Sequence, residues 1–222
     1  MKYKNRIEAG KILADKIKKT CSQYINEFII LAIPRGGLPV AYSVSEELNI
    51  PLHLVITKKL SHPTNPEIAI GAIAADGSYE LNERIKYYGV TEDYLGEIKA
   101  FALKKVKNRI EKYCQGKQPD VKGKKVFVID DGIATGYTAL VAGKYLKNQG
   151  ANLLILAIPV CPISSLERVK QVFDDLVCPI QSKSYSFSVG AFYDDFHQNT
   201  DEELYHYLEK AKKNNLLYET FR

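Results

Sequence analysis

The chain contains no C-x-x-C pair, and its four cysteines, Cys21, Cys114, Cys161 and Cys178, are widely spaced. That spacing fits neither a zinc site nor a compact disulfide framework, so the thiols read as buried side chains. Long hydrophobic runs are also missing. Stretches such as Leu153 to Ile158 fall far short of the roughly 20 apolar residues that cross a bilayer. The opening MKYKNRIEAGK lacks the apolar core of a signal peptide, which points to a cytoplasmic protein without a membrane partner. No G-x-x-x-x-G-K-S/T occurs, so there is no Walker-type phosphate loop. Positive charge amounts to a mild net +5 with no Arg-rich stripe, and a nucleic-acid partner is not expected. That balance suits an anionic small ligand.

What is present is the composition of an ordinary globular protein, 45% apolar and 26% charged, with no biased tract over 222 residues. That length predicts one domain, residues 1–222, with a sizeable core. Ile7, Leu13, Ile17 and Cys21 fall at helical spacing within Asn5 to Tyr24. Phe28 to Ile33 reads as a buried strand stopped by Pro34, with the turn Arg35-Gly36-Gly37-Leu38-Pro39 and a helix from Val40 to Leu48 behind it. Pro51 to Thr57 is a second strand. Residues 57–90 differ in texture: Lys58 and Lys59 lead into SHPTNPE, then Ile68 to Ala74 and Tyr79 to Leu81 suggest a small ribbon around Asp76-Gly77. A polar, proline-containing insertion of this kind reads as a mobile lid. Thr91 caps a helix running to about Cys114. Later come a strand at Val126 to Ile129, a helix at Ala139 to Gln149 and a strand at Leu153 to Pro159. A helix from about Ser164 to Phe173, a strand at Leu176 to Ile180 and a final helix at Asp201 to Asn214 complete the series. Strands alternating with helices predict an α/β fold with a central parallel sheet and ligands at the C-terminal strand ends.

The most informative stretch is VFVIDDGIATGYT, Val126 to Thr138. An all-apolar strand ends on the adjacent carboxylates Asp130 and Asp131. Gly132, Thr135, Gly136 and Thr138 follow, just ahead of a helix. Helix N-terminal N–H groups joined by hydroxyls make a phosphate site. Two carboxylates beside it suit sugar hydroxyls or a hydrated divalent cation. A phosphorylated sugar satisfies both.

Ile129-Asp130-Asp131 through Thr138 resembles, without a gap, the diphosphate-sugar signature of the type I phosphoribosyltransferases. Ile33-Pro34-Arg35-Gly36-Gly37 resembles that family's pyrophosphate loop, and Lys58-Lys59 with the insertion resembles its flexible lid. The likeness spans roughly residues 28 to 195. NRIEAGKILADKI, PRGGLPVA and Asn65-Pro66-Glu67 are similar to a bacterial subgroup whose acceptor is unassigned. The resemblance implies a lid at about 57–90, a small hood at about 181–200 plus the C-terminal helix, and a homodimer. It implies Mg²⁺-dependent transfer of the phosphoribosyl group of phosphoribosyl diphosphate (PRPP) to a nitrogen acceptor, with release of pyrophosphate. Asp130 and Asp131 would hold the ribose hydroxyls, directly or through water on Mg²⁺, and favour an oxocarbenium-like transition state. Ala134, Thr135, Gly136, Tyr137 and Thr138 would cradle the 5-phosphate. Arg35, Gly36 and Gly37 would meet the pyrophosphate, in a loop that the family builds with a non-proline cis peptide. Lys58 and Lys59 would neutralise the departing pyrophosphate, and Glu67 is a candidate for the acceptor's proton. In the hood, Phe187 would stack on the acceptor, with Val189, Tyr193 and Asp194 beside it, and Asp194 would join Asp130 and Asp131 near the metal.

Two departures argue against simple 6-oxopurine salvage. Ala134 stands where those enzymes carry an Asp, and His197, Gln198 and Asn199 stand where their hood-closing Arg belongs. The acceptor stays open. A PRPP- or nucleotide-sensing regulator of the same fold is the alternative, and a hydrolase or phosphorylase of a phosphoribosyl compound is a third reading. The intact acidic pair, pyrophosphate loop and lid lysines favour catalysis.

Overall fold

The computed structural model describes residues 2–21, 24–65, 68–184 and 186–221, and the backbone alone of Lys86. In chain order the regular elements are α1 (Arg6–Cys21), β1 (Phe28–Ala32), α2 (Gly37–Leu48), β2 (Leu52–Leu54), β3 (Thr57–Ser61), β4 (Ala69–Ala74), β5 (Tyr79–Leu81) and α3 (Glu92–Cys114). There follow β6 (Lys125–Ile129), α4 (Tyr137–Asn148), β7 (Leu153–Ala157), β8 (Val160–Pro162), α5 (Leu166–Val169), β9 (Asp175–Val177), β10 (Ile180–Ser182) and α6 (Asp201–Lys213). Five strands form a parallel sheet in the order β2-β1-β6-β7-β9. None of the described helices is long and apolar enough to cross a membrane.

The apolar runs in β1 and β6 reflect burial on both faces of this sheet. Phe28, Ile30, Ala32, Phe127 and Ile129 point into a core shared with α1, α2, α3 and α6. Ile29, Leu31, Val126 and Val128 point into a second core under α4. Phe28 and Phe127 stack across the two strands with ring centres 4.1 Å apart. The open edge of β2 is covered by the C-terminal segment, where Leu52 N–H donates to Leu216 O at 2.7 Å and Tyr218 N–H to Leu52 O at 2.8 Å.

The expected lid is more firmly built than its polar sequence suggests. β3, β4 and β5 form an antiparallel sheet of their own. Leu60, Ile70 and Ile73 enter the core with Ala102, Val106 and Ile110 of α3, while Ala72 and Ala74 pack under α4. Only the β3–β4 connection retains the proline-rich character, and within it Glu67 lies outside the described residues. α3 starts as its cap residue predicts: the Thr91 hydroxyl accepts from Tyr94 N–H at 3.2 Å, with Glu92 and Asp93 in the first turn.

The sequence reading overruns most clearly in three places, two of them at a proline. The strand read over Leu153 to Pro159 stops at Ala157, and Val160–Pro162 forms a separate strand. The strand read over Leu176 to Ile180 divides around Cys178-Pro179 into β9, in the main sheet, and β10, which pairs with β8 outside it. Proline lacks the N–H that continuing the ladder would use. The helix read over Ser164 to Phe173 shortens to a 3₁₀ turn and the four residues of α5. All four cysteines are free and buried, but Cys161 and Cys178 meet with their sulfurs 3.4 Å apart, which their spacing in sequence does not reveal.

Candidate active site

The sheet order reverses direction between β1 and β6, because β2 lies on the far side of β1 and β7 on the far side of β6. Loops leaving the C-terminal ends of β1 and β6 therefore face each other across a switch point, the position at which open parallel sheets bind ligands. After β1, Ile33 N–H donates to Ile129 O at 2.8 Å and holds the two loops together at their base. The chain then passes Pro34–Arg35, a cis peptide, and enters α2 at Gly37. A Cβ on Gly36 would lie 2.2 Å from Asp131 Oδ2. Only glycine lets the first loop come this close to the acidic pair.

Asp130 and Asp131 directly follow β6, half-buried. Asp131 N–H donates to Asp130 Oδ1 at 2.8 Å. Asp131 Oδ2 accepts from Arg6 Nε at 2.8 Å, and both side chains are nearly buried, 13% and 8% exposed. The Arg6 guanidinium also donates to His197 O at 2.9 Å and lies 4.1 Å from the centre of the Phe196 ring. The Tyr193 hydroxyl donates to Asp131 O at 2.5 Å. Burial, then the neighbouring Asp131 carboxylate, pushes the Asp130 carboxyl well above the ordinary range. Burial raises Asp131 too, and Arg6 opposes it. Two carboxylates whose charged forms are disfavoured in the free protein gain from an arriving cation or from hydroxyl donors. Carboxylates in such a setting fit Mg²⁺ reached through water or a ligand oxygen. Among the described residues no three carboxylate, imidazole or thiol groups converge to cage a metal ion. Asp194 accordingly does not complete the acidic pair; it is exposed, with its N–H donating to Tyr3 O at 2.8 Å.

The loop after the pair leads to α4 through Gly136, whose φ of +79° suits glycine at the helix N-cap. Ala134 and Thr135 are exposed and Thr138 half-buried, so this loop offers backbone N–H groups and hydroxyls to an anion. Tyr137 has only its backbone to offer there: its side chain is buried and its hydroxyl accepts from Glu83 N–H at 3.3 Å. Arg168 of α5 donates to Thr135 O at 2.5 Å and stacks over the Tyr137 ring at 4.4 Å. A cavity of about 600 Å³ opens beside Ala134 and Thr135 and reaches Ile163, Lys183 and Phe187. Phe187 lines it while resting on Phe192, ring centres 5.3 Å apart. The other aromatic expected there, Tyr193, is directed elsewhere. It is 4% exposed, packs on Tyr3 and Phe196, and supports Asp131 from beneath. Val189 packs against the same small core of Tyr3, Ala9, Val160 and Tyr193.

Lys58 and Lys59 are neighbours in a strand and so face opposite ways. Lys58 is paired with Ile73 in the ladder and shares its α3-facing side; Lys59 is paired with Ala72, on the α4 side. Burial, then the charges of Arg109, Lys59, Lys105 and Arg35, pull the Lys58 ammonium down from its ordinary value. The Arg35 side chain reaches Asp201 at the start of α6, with Nη1 to Oδ1 at 3.1 Å. Asp201 also accepts from Lys112 Nζ at 2.5 Å and the Tyr113 hydroxyl at 2.7 Å. A Thr200–Glu203 capping box fixes its position at the helix start.

Two side chains that contact the candidate site escape sequence reasoning. Arg6 stands 125 residues from its partner Asp131, and Arg168 sits on a four-residue helix. Arg6 carries a signal in retrospect, as an arginine on the otherwise apolar inner face of α1, where a buried cation needs a partner.

Two measurements follow from these contacts. Asp131→Asn strands the buried Arg6 charge and is expected to lower unfolding free energy in urea by about 1–3 kcal/mol, whereas Asp130→Asn relieves a like-charge contact and leaves stability unchanged or slightly raised. The Lys112 ammonium, then the Tyr113 hydroxyl, hold Asp201 down to about 2, against 3.8 ordinarily. This stabilisation is complete above pH 4 and is lost as the pH falls towards 2. Asp201→Asn is therefore expected to flatten the dependence of melting temperature on pH across that window and leave the slope above pH 5 unchanged.

Comparison with known proteins shows the family. The family model for the phosphoribosyl transferase domain matches residues 4–195. Over 213 residues, 95% of this chain, the sequence is 30% identical to Rv0571c of Mycobacterium tuberculosis, a protein provisionally named as a phosphoribosyl transferase. This chain covers 47% of that protein, so it spans about half the length of the curated relatives it matches. The crystal structure of TT1426 from Thermus thermophilus superposes with a TM-score of 0.75 at 29% identity, covering 95% of this chain and 99% of that one. The chain belongs to the phosphoribosyl transferase domain family.

Proposed function

We propose that the protein transfers the 5-phosphoribosyl group of PRPP to a nitrogen acceptor and releases pyrophosphate. The observation that carries this reading is the meeting of two loops at one switch point: the Arg35-Gly36-Gly37 turn lies against Asp131, at the distance only a glycine permits. On this reading the start of α4 takes the 5-phosphate with backbone N–H groups and the Thr135 and Thr138 hydroxyls. Asp130 and Asp131 accept hydrogen bonds from the ribose hydroxyls, and the Arg35 loop meets the diphosphate. The acceptor nitrogen forms its bond to C1 of the ribose as the bond from C1 to the diphosphate oxygen breaks, and the acceptor's proton passes to solvent. Negative charge on Asp130 and Asp131 favours the positive charge that develops on the ring. Mg²⁺ bound near the pair would neutralise part of the diphosphate charge. Arg6 and Tyr193 hold Asp131 in place from the side away from the substrate.

The acceptor is a planar nitrogen compound small enough for the 600 Å³ cavity, resting on Phe187. Stacking of this kind contributes about 1–3 kcal/mol and discriminates little between bases. Ala134 brings no acid to that cavity, which speaks against an acceptor that needs one from the phosphate loop.

A mass-spectrometric screen of PRPP and Mg²⁺ with a panel of bases and amines is expected to give one phosphoribosylated product, with pyrophosphate released in equal amount. Asp130→Asn is expected to lower kcat by about 10²-fold or more with the fold intact, as Asp130 lacks the structural contact to Arg6 that Asp131 makes. Pyrophosphate release that needs no acceptor, or a wild-type rate in Asp130→Asn, would refute the assignment.

A further inference from the structure

Two of the four cysteines meet inside the protein, and phosphoribosyl transfer uses neither. Cys161 lies in β8 and Cys178 just after β9, 17 positions apart in the chain, with their sulfurs 3.4 Å from each other. Both are buried, at 0% and 6% exposure. The Cys178 thiol also lies 3.2 Å from Ile180 O, a second acceptor for its proton.

Backbone pairing holds the contact in place. Ile158 N–H donates to Val177 O at 3.0 Å, and Ile180 N–H donates to Pro159 O at 3.1 Å. Cys161 itself stands opposite Gln181 in the β8–β10 ladder. The sulfurs therefore sit where two chain segments leave the main sheet side by side. Beyond them, one segment gives Pro162, Ile163 and Ser164 to the 600 Å³ cavity, and the other gives Ser182, Lys183 and Ser184. β8 also supports the loop after the acidic pair, since Val160 O accepts from Ile133 N–H at 3.2 Å.

A thiol buried in apolar surroundings is ordinarily inert. Contact with a second thiol alters that, because once one sulfur is oxidised its partner already stands in place to attack it. The sulfurs have only to close from 3.4 Å to about 2 Å. The hydrogen bond with Cys178 pulls the Cys161 thiol down, so Cys161 ionises first. The same hydrogen bond, then burial, raises Cys178, which keeps its proton. Cys21 and Cys114, each 7% exposed, are buried to a similar depth and lie outside this contact.

We propose that Cys161 and Cys178 form a dithiol site that a hydroperoxide converts reversibly to a disulfide, joining the two cavity walls at their base. With hydrogen peroxide, the Cys161 thiolate attacks one oxygen: an S–O bond forms, the O–O bond breaks and hydroxide leaves. The Cys178 sulfur then attacks the Cys161 sulfur. The S–S bond forms, the S–O bond breaks, and the hydroxide released takes up the Cys178 proton. In total the two thiols give up two electrons and two protons, and the peroxide becomes two waters. The site needs only the sulfur contact, so it stands or falls independently of the phosphoribosyl-transfer reading.

The test is peptide mapping by mass spectrometry of the wild-type protein, treated with hydrogen peroxide under native conditions and then alkylated in denaturant. Cys21 and Cys114 serve as internal controls, so no variant has to fold. The treated chain is expected to lose the mass of two hydrogens and to yield one cross-linked pair of peptides holding Cys161 and Cys178. Cys21 and Cys114 are expected to alkylate fully, and dithiothreitol to restore all four free thiols. Amide hydrogen exchange in the oxidised protein is expected to slow several-fold along residues 160–164 and 180–184 and to stay unchanged in α3. Four thiols still free after peroxide would overturn the site. So would sulfinic acids without a cross-link, or loss of all four thiols at one rate, as unfolding gives. Exchange that slows along neither wall would overturn the joining of the walls.

Discussion

The site depends on how closely two backbones approach. The loop after β1 reaches the carboxylate of Asp131 because Gly36 has no side chain, and Ile33 ties that loop to the end of β6 through Ile129. Everything proposed for the ligand sits on either side of this contact: sugar hydroxyls on the acidic pair, one phosphate at the start of α4, and two more beside Arg35. A parallel sheet supplies the geometry, since both strands end on one edge and the change in strand order opens the space between their loops. The site geometry thus follows from an ordinary fold with glycines at the two adjacent positions, 36 and 37, where a Cβ would collide.

Around that contact the protein invests in holding Asp131. Arg6 reaches it from α1, Tyr193 supports its carbonyl, and Phe196 covers the guanidinium. Residues 3–4 pair with the hood, through Tyr3 N–H to Phe192 O and Asp195 N–H to Lys4 O, at 2.8 and 2.9 Å. The N-terminal helix, the hood and the second carboxylate are therefore one mechanical unit. Asp130 has a looser setting and no arginine of its own. The two carboxylates, adjacent and identical in sequence, differ in setting because Asp131 is anchored by Arg6 and Asp130 has no such ion pair.

Much of this is legible in the sequence. The buried strands announce themselves as apolar runs, Thr91 marks the start of α3, and the Asp-Asp-Gly-x-x-Thr-Gly stretch locates the sugar-phosphate end of the site. The misreadings have physical causes. Prolines at 159 and 179 divide apolar runs that look continuous. Tyr193 looks like an acceptor contact because hood segments present aromatics, yet its neighbours Tyr3 and Phe196 draw it into a small core. The pairing of Arg6 with Asp131 joins residues too far apart in the chain for any local pattern to register. Adjacency makes Lys58 and Lys59 look like a pair, although the two-residue period of a strand already separates them.

The central claim is that one cleft holds both ends of PRPP, the 5-phosphate at α4 and the diphosphate at the Arg35 loop. Phosphorus NMR of PRPP titrated with the protein tests it most directly, because the 5-phosphate and the two diphosphate phosphorus atoms give separate resonances. All three are expected to shift or broaden together and to saturate at one PRPP per chain. A response confined to the diphosphate resonances, as a generic polyanion surface would give, or no response at all, would contradict the account.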